Sequence, residues 1–254
     1  MAYFCGMRYF LEFSYRGTAY NGWQKQNNAL GVQQVLEEAF AKILRMPVEL
    51  TGSSRTDAGV HAEQQFAHFD LPEAVADADL LVYKLNSLIP KDVAVRRIIP
   101  VGDEVHSRFA ATHRKYEYRI TYQKNPFLTD LATQMRRNLD VARMNEAAAL
   151  LLVHNDFESF SKIHTNVNNF RCTITESRWV ESGEMLVFHV KANRFLRGMV
   201  RALVGTMLEV GRLKITAGDF EQIILSRNRK NAGAQAPAEG LFLVEVGYPE
   251  SLFI

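Results

Sequence analysis

The sequence predicts an α+β fold of two tandem ferredoxin-like βαββαβ halves, with mainly antiparallel sheets flanking a central cleft. Three observations predict it. Segments of period-two and helical hydrophobicity follow one another in the order β, α, β, β, α, β, and that order then recurs. The chain, at 254 residues, is long enough for one large domain or two modest ones. The two runs meet near Pro100–Val105, which divides the chain into 1–105 and 106–254. No residue-level repeat links them, so the duplication is one of pattern. A cleft between two such halves is the default place for a ligand.

In the first half, Met7–Tyr15 alternates, with Met7, Tyr9, Leu11, Phe13 and Tyr15 on one face of a strand. A polar, Gly-bearing loop (Arg16–Gln24) leads to a helix read from Val32, Val35, Leu36, Ala39, Phe40 and Ile43, with Pro47 beyond its end. Strands are expected over 48–51 and 64–70, with about a dozen residues between them, where hairpins usually need about 2–5. Asp77 can cap a helix through Leu88, and Val93–Ile99 closes the half as a strand.

In the second half, Arg114–Tyr122 alternates strongly and Asp140 can cap a helix running to Val153. Arg171–Val180 and Glu184–Ala192 form a hairpin around Ser182-Gly183. Phe195–Val210 is a helix stopped by Gly211, Ala217–Leu225 a shorter one, and Leu241–Tyr248 the closing strand. Arg227–Gly240, rich in Ala, Gly, Asn and Lys, is expected to be a mobile loop.

Composition is that of an ordinary globule, 47% hydrophobic and 23% charged, and no apolar run approaches the roughly 20 residues a membrane span needs. The N-terminus lacks the basic region and apolar core of a signal peptide. Cys5 and Cys172 make neither a metal-ligand spacing nor a disulfide framework, so a cytoplasmic protein with both thiols reduced is expected. The net charge of +2 conceals an asymmetry: 10 basic against 13 acidic residues in 1–105, and 20 against 15 in 106–254. Within the latter, 106–137 carries seven basic and two acidic residues, and 191–214 carries six and one. Such clustering suits a surface that meets a polyanion, and a solvated face explains either segment alone equally well.

The chemistry-bearing stretch is Gly52-Ser53-Ser54-Arg55-Thr56-Asp57-Ala58-Gly59-Val60-His61. It lacks the Gly-Lys-Ser/Thr of a phosphate loop, offers too few ligands for a metal, and specifies no base for a serine nucleophile. What remains is the Asp57 carboxylate between Arg55, which can keep it ionised, and Gly59, which allows close backbone approach. An Asx turn capped by the same aspartate fits this composition as well. Arg194, Arg197 and Arg201 fall at i, i+3 and i+7 of the helix expected over 195–210. This basic stripe is placed either to pair with an acid such as Asp57 or to run along a solvated edge. In His113-Arg114-Lys115-Tyr116-Glu117-Tyr118-Arg119, cations interleave with tyrosines as backbone contact and base stacking require. Tyr116, at the strand's start, is the tyrosine best placed to face the cleft.

Arg55-Thr56-Asp57-Ala58-Gly59-Val60-His61-Ala62 resembles the signature of the TruA-type tRNA pseudouridine synthases, the tRNA pseudouridine synthase A family. So do Tyr20–Gln26, Arg108–Tyr116, Asn193–Arg201 and Ala238–Val244, spaced in family order across nearly the whole chain. The resemblance implies an isomerase that converts uridine to pseudouridine at positions 38, 39 and 40 of the tRNA anticodon arm. It implies a homodimer that uses no metal and no organic cofactor. On it, Asp57 corresponds to the nucleophile, Tyr116 to the tyrosine stacked on the target base, and Arg201 to the arginine paired with the aspartate. Arg55 corresponds to the residue that displaces the target nucleotide. Thr56, His61, Arg114, Lys115, Arg194, Arg197 and Leu241 join Arg55 and Tyr116 as expected substrate-binding residues. Two departures stand out: Ser54 where glycine is frequent, and Arg197-Gly198 where a more polar or His-containing pair is expected. The alternative function is a catalytically silent RNA-binding paralogue on the same fold, and a phosphate-ester hydrolase would need a metal cluster that the sequence does not supply.

Overall fold

A computed structural model of the chain describes residues 6–136, 139–163 and 169–253. Cys5, the N-terminal stretch judged for a signal peptide, and Arg137 of the first basic segment lie outside the described residues. The described residues form a mixed α+β protein with mostly antiparallel strands and five α-helices. They group into two compact units, one reaching to Thr112 and including the residues from Leu243 onward, the other His113–Phe242. Residues 106–112 and the C-terminal end therefore pack with the first unit, where a single cut at 105 assigns them to the second.

The first unit runs β1 (Met7–Tyr15), α1 (Val32–Leu44), β2 (Thr51–Gly52), β3 (His61–Leu71), α2 (Ala78–Leu88) and β4 (Val93–Val101). β1 lies antiparallel between β3 and β4, with Leu11 opposite Ala67 on one side and Ile98 on the other. Alternation marks one apolar face of β1, but both faces are covered. Tyr9 and Phe40 meet Phe69 on one side, while Phe10 meets Phe66 and Tyr248 on the other. Even Glu12 is buried, its carboxylate held by Arg97 and by Gln64 Nε2 at 2.9 Å. Asp77 caps α2 as expected, accepting the Leu80 N–H at 2.8 Å.

Two boundaries differ from the sequence reading and reshape the central loop. The strand expected over 48–51 shrinks to Thr51–Gly52, and β3 begins at His61 rather than 64. The connection is thus 53–60, shorter than the dozen residues expected.

The second unit runs β5 (His113–Thr121), β6 (Thr133–Gln134), α3 (Val141–Leu150), β7 (Ile174–Ser182), β8 (Met185–Ala192), α4 (Met199–Gly211) and α5 (Ala217–Leu225). The short β6 pairs parallel to β5 and carries no alternation long enough to mark it. β9 (Leu241–Gly247) starts in the second unit and ends in the first. β8 lies antiparallel between β5 and β7, and Gly183 turns the β7–β8 hairpin at φ 59°. Asp140 caps α3, accepting the Arg143 N–H at 3.0 Å, though the helix ends at Leu150 and passes into turns before Val153.

Three expectations fail here for local reasons. α4 starts at Met199, because Gly198 takes a left-handed φ of 71° as its N-cap. Arg194 and Arg197 therefore precede the helix, and no i, i+3, i+7 stripe exists. Gly211 is the last helical residue, and the left-handed position falls to Leu213 at φ 60°. The segment 227–240 is strapped down rather than loose. Gly233 N–H donates to Thr206 Oγ1 at 3.0 Å, and Ala236 N–H to the Arg201 carbonyl at 2.9 Å. A Cβ at Gly205 would lie 1.8 Å from the Ala234 carbonyl oxygen, so this helical glycine lets the strap lie directly on α4. Among the described residues no helix is long and apolar enough to cross a membrane.

Candidate active site

The loop 53–60 is held at every turn by the first unit. At its start, Ser53 N–H donates to the Phe66 carbonyl at 2.7 Å and Ser53 Oγ to Gln65 Oε1 at 2.6 Å. The other end of that amide, Gln65 Nε2, donates to the Ser54 carbonyl at 2.9 Å. Thr56 is buried and shares a 2.8 Å hydrogen bond with the Tyr15 hydroxyl, while its carbonyl accepts the Trp23 N–H. Gly59, at φ 78°, closes a turn in which Val60 N–H donates to the Asp57 carbonyl at 3.2 Å.

The Gly-bearing stretch after β1 supplies the brace from the other side. A Cβ on Gly17 would sit 2.0 Å from the Val60 carbonyl oxygen, and one on Gly22 2.3 Å from that of Thr56. Two backbones approach here as only glycine permits. The Gly17 N–H then donates to Nδ1 of the buried His61 at 3.0 Å. An accepting Nδ1 carries no proton, which fixes a neutral imidazole with its hydrogen on Nε2. Thr56 and His61, expected to touch substrate, are engaged in bracing the loop. Within the loop Arg55 and Ala58 are exposed and Asp57 is half-buried.

The other predicted residues lie in the second unit. Along β5, Arg114, Tyr116, Tyr118 and Ile120 are buried on one face, while Lys115, Glu117 and Arg119 occupy the other. The Tyr116 ring meets that of Phe195 edge-on at 5.2 Å. Arg114 donates to the Asn193 carbonyl at 3.2 Å, and Lys115 pairs with Glu176 at 2.9 Å. Arg201, third residue of α4, donates from Nε to the Ala236 carbonyl at 2.7 Å, so the strap orients its guanidinium. Arg194 is half-buried and Arg197 exposed. Leu241 is buried just after Gly240, where a Cβ would fall 2.8 Å from the Tyr118 ring. Burial pushes the Tyr118 phenol's pKa upward, and its hydroxyl donates to the Pro237 carbonyl at 3.0 Å.

The two basic segments are less cationic in place than in sequence. Arg119 pairs with Glu117, and both Lys214 and Arg212 pair with Glu209. Those hydrogen bonds, that of Lys214 foremost, hold the Glu209 carboxyl below its usual range. Sequence reasoning missed the braces: Tyr15, Gly17 and Ala236 carry no signal until the backbone positions are known, and Gly22 is read only as part of the Tyr20–Gln26 motif.

A family model described as tRNA pseudouridine synthase matches residues 12–110 and 147–249. A protein of Porphyromonas gingivalis named tRNA pseudouridine synthase A is 49% identical over 251 residues, covering 97% of this chain and 99% of its own. One of Parabacteroides distasonis with the same name is 48% identical, covering 97% and 98%. A third, from Colwellia psychrerythraea, is 39% identical, covering 96% and 95%.

Proposed function

This chain belongs to the tRNA pseudouridine synthase family, and we propose that it isomerises uridine to pseudouridine at positions 38, 39 and 40 of the tRNA anticodon arm. The reaction breaks the N1–C1′ glycosidic bond and joins C5 to C1′. C5 gives up its proton and N1 gains one, so atoms balance with no redox change. Asp57 is the nucleophile, Tyr116 stacks on the target base, and Arg201 is the third member of the catalytic set. Arg55 displaces the nucleotide from its stem, at a cost of a few kcal/mol that stacking and phosphate contacts offset. The other cations of the two basic segments grip the tRNA backbone.

The observation that carries this reading is the rigid loop 53–60. The Tyr15 hydroxyl holds Thr56, the Gln65 amide holds the Ser54 carbonyl and Gly17 holds His61 at its end, while Arg55 is exposed and Asp57 half-buried. A group held in place before the substrate arrives is what a positioned nucleophile requires. Each unit is read as a ferredoxin-like half, supported by the order β4-β1-β3-β2 in the first and β5-β8-β7 in the second. Division of labour follows it, with the nucleophile's loop in the first half and most RNA-gripping cations in the second. A cytoplasmic homodimer completes the proposal, on family membership alone. Tritium release from tRNA labelled at uridine C5 tests it. The enzyme releases label, whereas a silent RNA-binding paralogue binds and releases none.

A further inference from the structure

We propose that a pocket in the first unit, beside the Asp57 loop, receives a second unstacked nucleotide of the RNA, distinct from the one isomerised. The proposal rests on the RNA-modifying role above. The pocket encloses about 280 Å³, and Trp23, Thr51, Ser54, Arg55, Arg108 and Phe109 contribute to its wall. Asp57 is not among the lining residues, so the proposed nucleophile lies outside this pocket.

Phe109 supplies a fixed stacking face. The side chain is 77% exposed, unusual for phenylalanine, yet its backbone is tied down. Phe109 N–H and Ala110 N–H donate to the His106 carbonyl at 3.1 and 2.9 Å. The neighbouring Ser107 is wholly buried, its Oγ donating to the Thr51 carbonyl at 2.7 Å and its carbonyl accepting the Tyr248 hydroxyl at 2.6 Å. Tilted ring contacts run outward from His68 to His106 at 4.5 Å and from His106 to Phe109 at 4.4 Å. The exposed phenyl is thus the outer end of a chain of touching rings on an anchored backbone, and its open face can receive a nucleobase.

The charge around it selects the ligand class. Arg55 and Arg108 lie in the wall, the Arg108 guanidinium 5.9 Å above the Phe109 ring, and no carboxylate lines the pocket among the described residues. His106 accepts the Arg108 N–H at Nδ1, and burial beside Arg8 and Arg108 holds its pKa below the ordinary imidazole range. A neutral ring stacks and donates from Nε2. Ser54 Oγ is buried in the wall with no hydrogen-bond partner among the described residues. A flat ring, two cations and an unsatisfied hydroxyl match a base, its phosphates and its polar edge. Extruding one nucleotide from a stem disturbs its neighbours, and a receptor for a second base offsets that loss.

The test is a cycle of full-length protein against a synthetic anticodon stem-loop RNA, read as Kd by fluorescence anisotropy. Phe109→Ala, which removes an exposed side chain, is combined with single abasic replacements scanned along the RNA. Thermal unfolding of the variant checks that it folds. The expected result is a roughly 5- to 100-fold weaker Kd for Phe109→Ala on intact RNA. One abasic position then weakens the wild type by a similar factor while costing the variant nothing further. Unchanged binding by Phe109→Ala, or losses that multiply at every abasic position, would overturn the proposal. Tritium release by the wild type, measured alongside, separates the two ideas. Coupling without turnover sinks the isomerase and keeps the pocket, and turnover without coupling does the reverse.

Discussion

The imidazole of His61 accepts the backbone N–H of Gly17 at 3.0 Å, joining the first residue of β3 to the turn that follows β1. This one contact fixes the far end of the Asp57 loop. In His61→Leu the buried Gly17 N–H loses that acceptor, at a cost of about 1–3 kcal/mol. Urea denaturation should show that loss together with a fall in turnover. A variant as stable as wild type would remove His61 from the brace.

Gly17→Ala attacks the same brace through the backbone. Its Cβ would stand 2.0 Å from the Val60 carbonyl oxygen, so the loop must shift by an ångström or more. Displacements of about 1 Å can cost on the order of 100-fold in rate. The expected outcome is a 10- to 100-fold drop in kcat with RNA affinity near wild type. Single-turnover kinetics and a binding isotherm measure the two, and wild-type kcat would contradict the account.

Stability should fall in weak acid because of His68. Burial, reinforced by Arg8 and His106, pushes its imidazole down to about 4, against roughly 6.5 when unfolded. Between those values the unfolded chain binds more protons than the folded one. The contribution is therefore complete above about pH 6.5 and is lost progressively towards pH 4. His68→Gln keeps an acceptor for the Ser107 N–H and should flatten this part of the pH–stability curve. His106 and His189 shift in the same direction but are common to both proteins, so the difference between the curves reports His68. Parallel curves would show that it titrates normally.

Arg201→Lys separates charge from geometry. The guanidinium donates from Nε to the Ala236 carbonyl, whereas an ammonium cannot keep that bond and a second fixed donor direction together. On its proposed catalytic role, kcat should fall at least about tenfold while KM for tRNA changes little. A variant that raises KM alone would make Arg201 an RNA contact.

What the sequence discloses is set by how local the cause is. Asp77 and Asp140 cap their helices through the backbone N–H three residues on, so their signals survive without tertiary knowledge. The doubled order of strands and helices is legible for the same reason, since periodicity is a local property. Phe10 and Glu12 are not, because alternation marks one face of β1 and cannot say that the opposite face is also covered. The strap over 227–240 looks mobile by composition, and it is ordered by a glycine on α4 and by Arg201, both distant in sequence. The start of α4 depends on a positive φ at Gly198, which an apolar helical pattern running through it conceals. Asp57 stands out through its neighbours, but Tyr15, Gly17 and Gln65, which hold its loop, are distant in sequence and nothing local marks them as its partners.

The central claim is that Asp57 performs the chemistry, and its most direct measurement is tritium release from C5-labelled tRNA by Asp57→Asn, with Kd for the same tRNA determined in parallel. The account predicts wild-type affinity and no release above background. Release near the wild-type rate would contradict it.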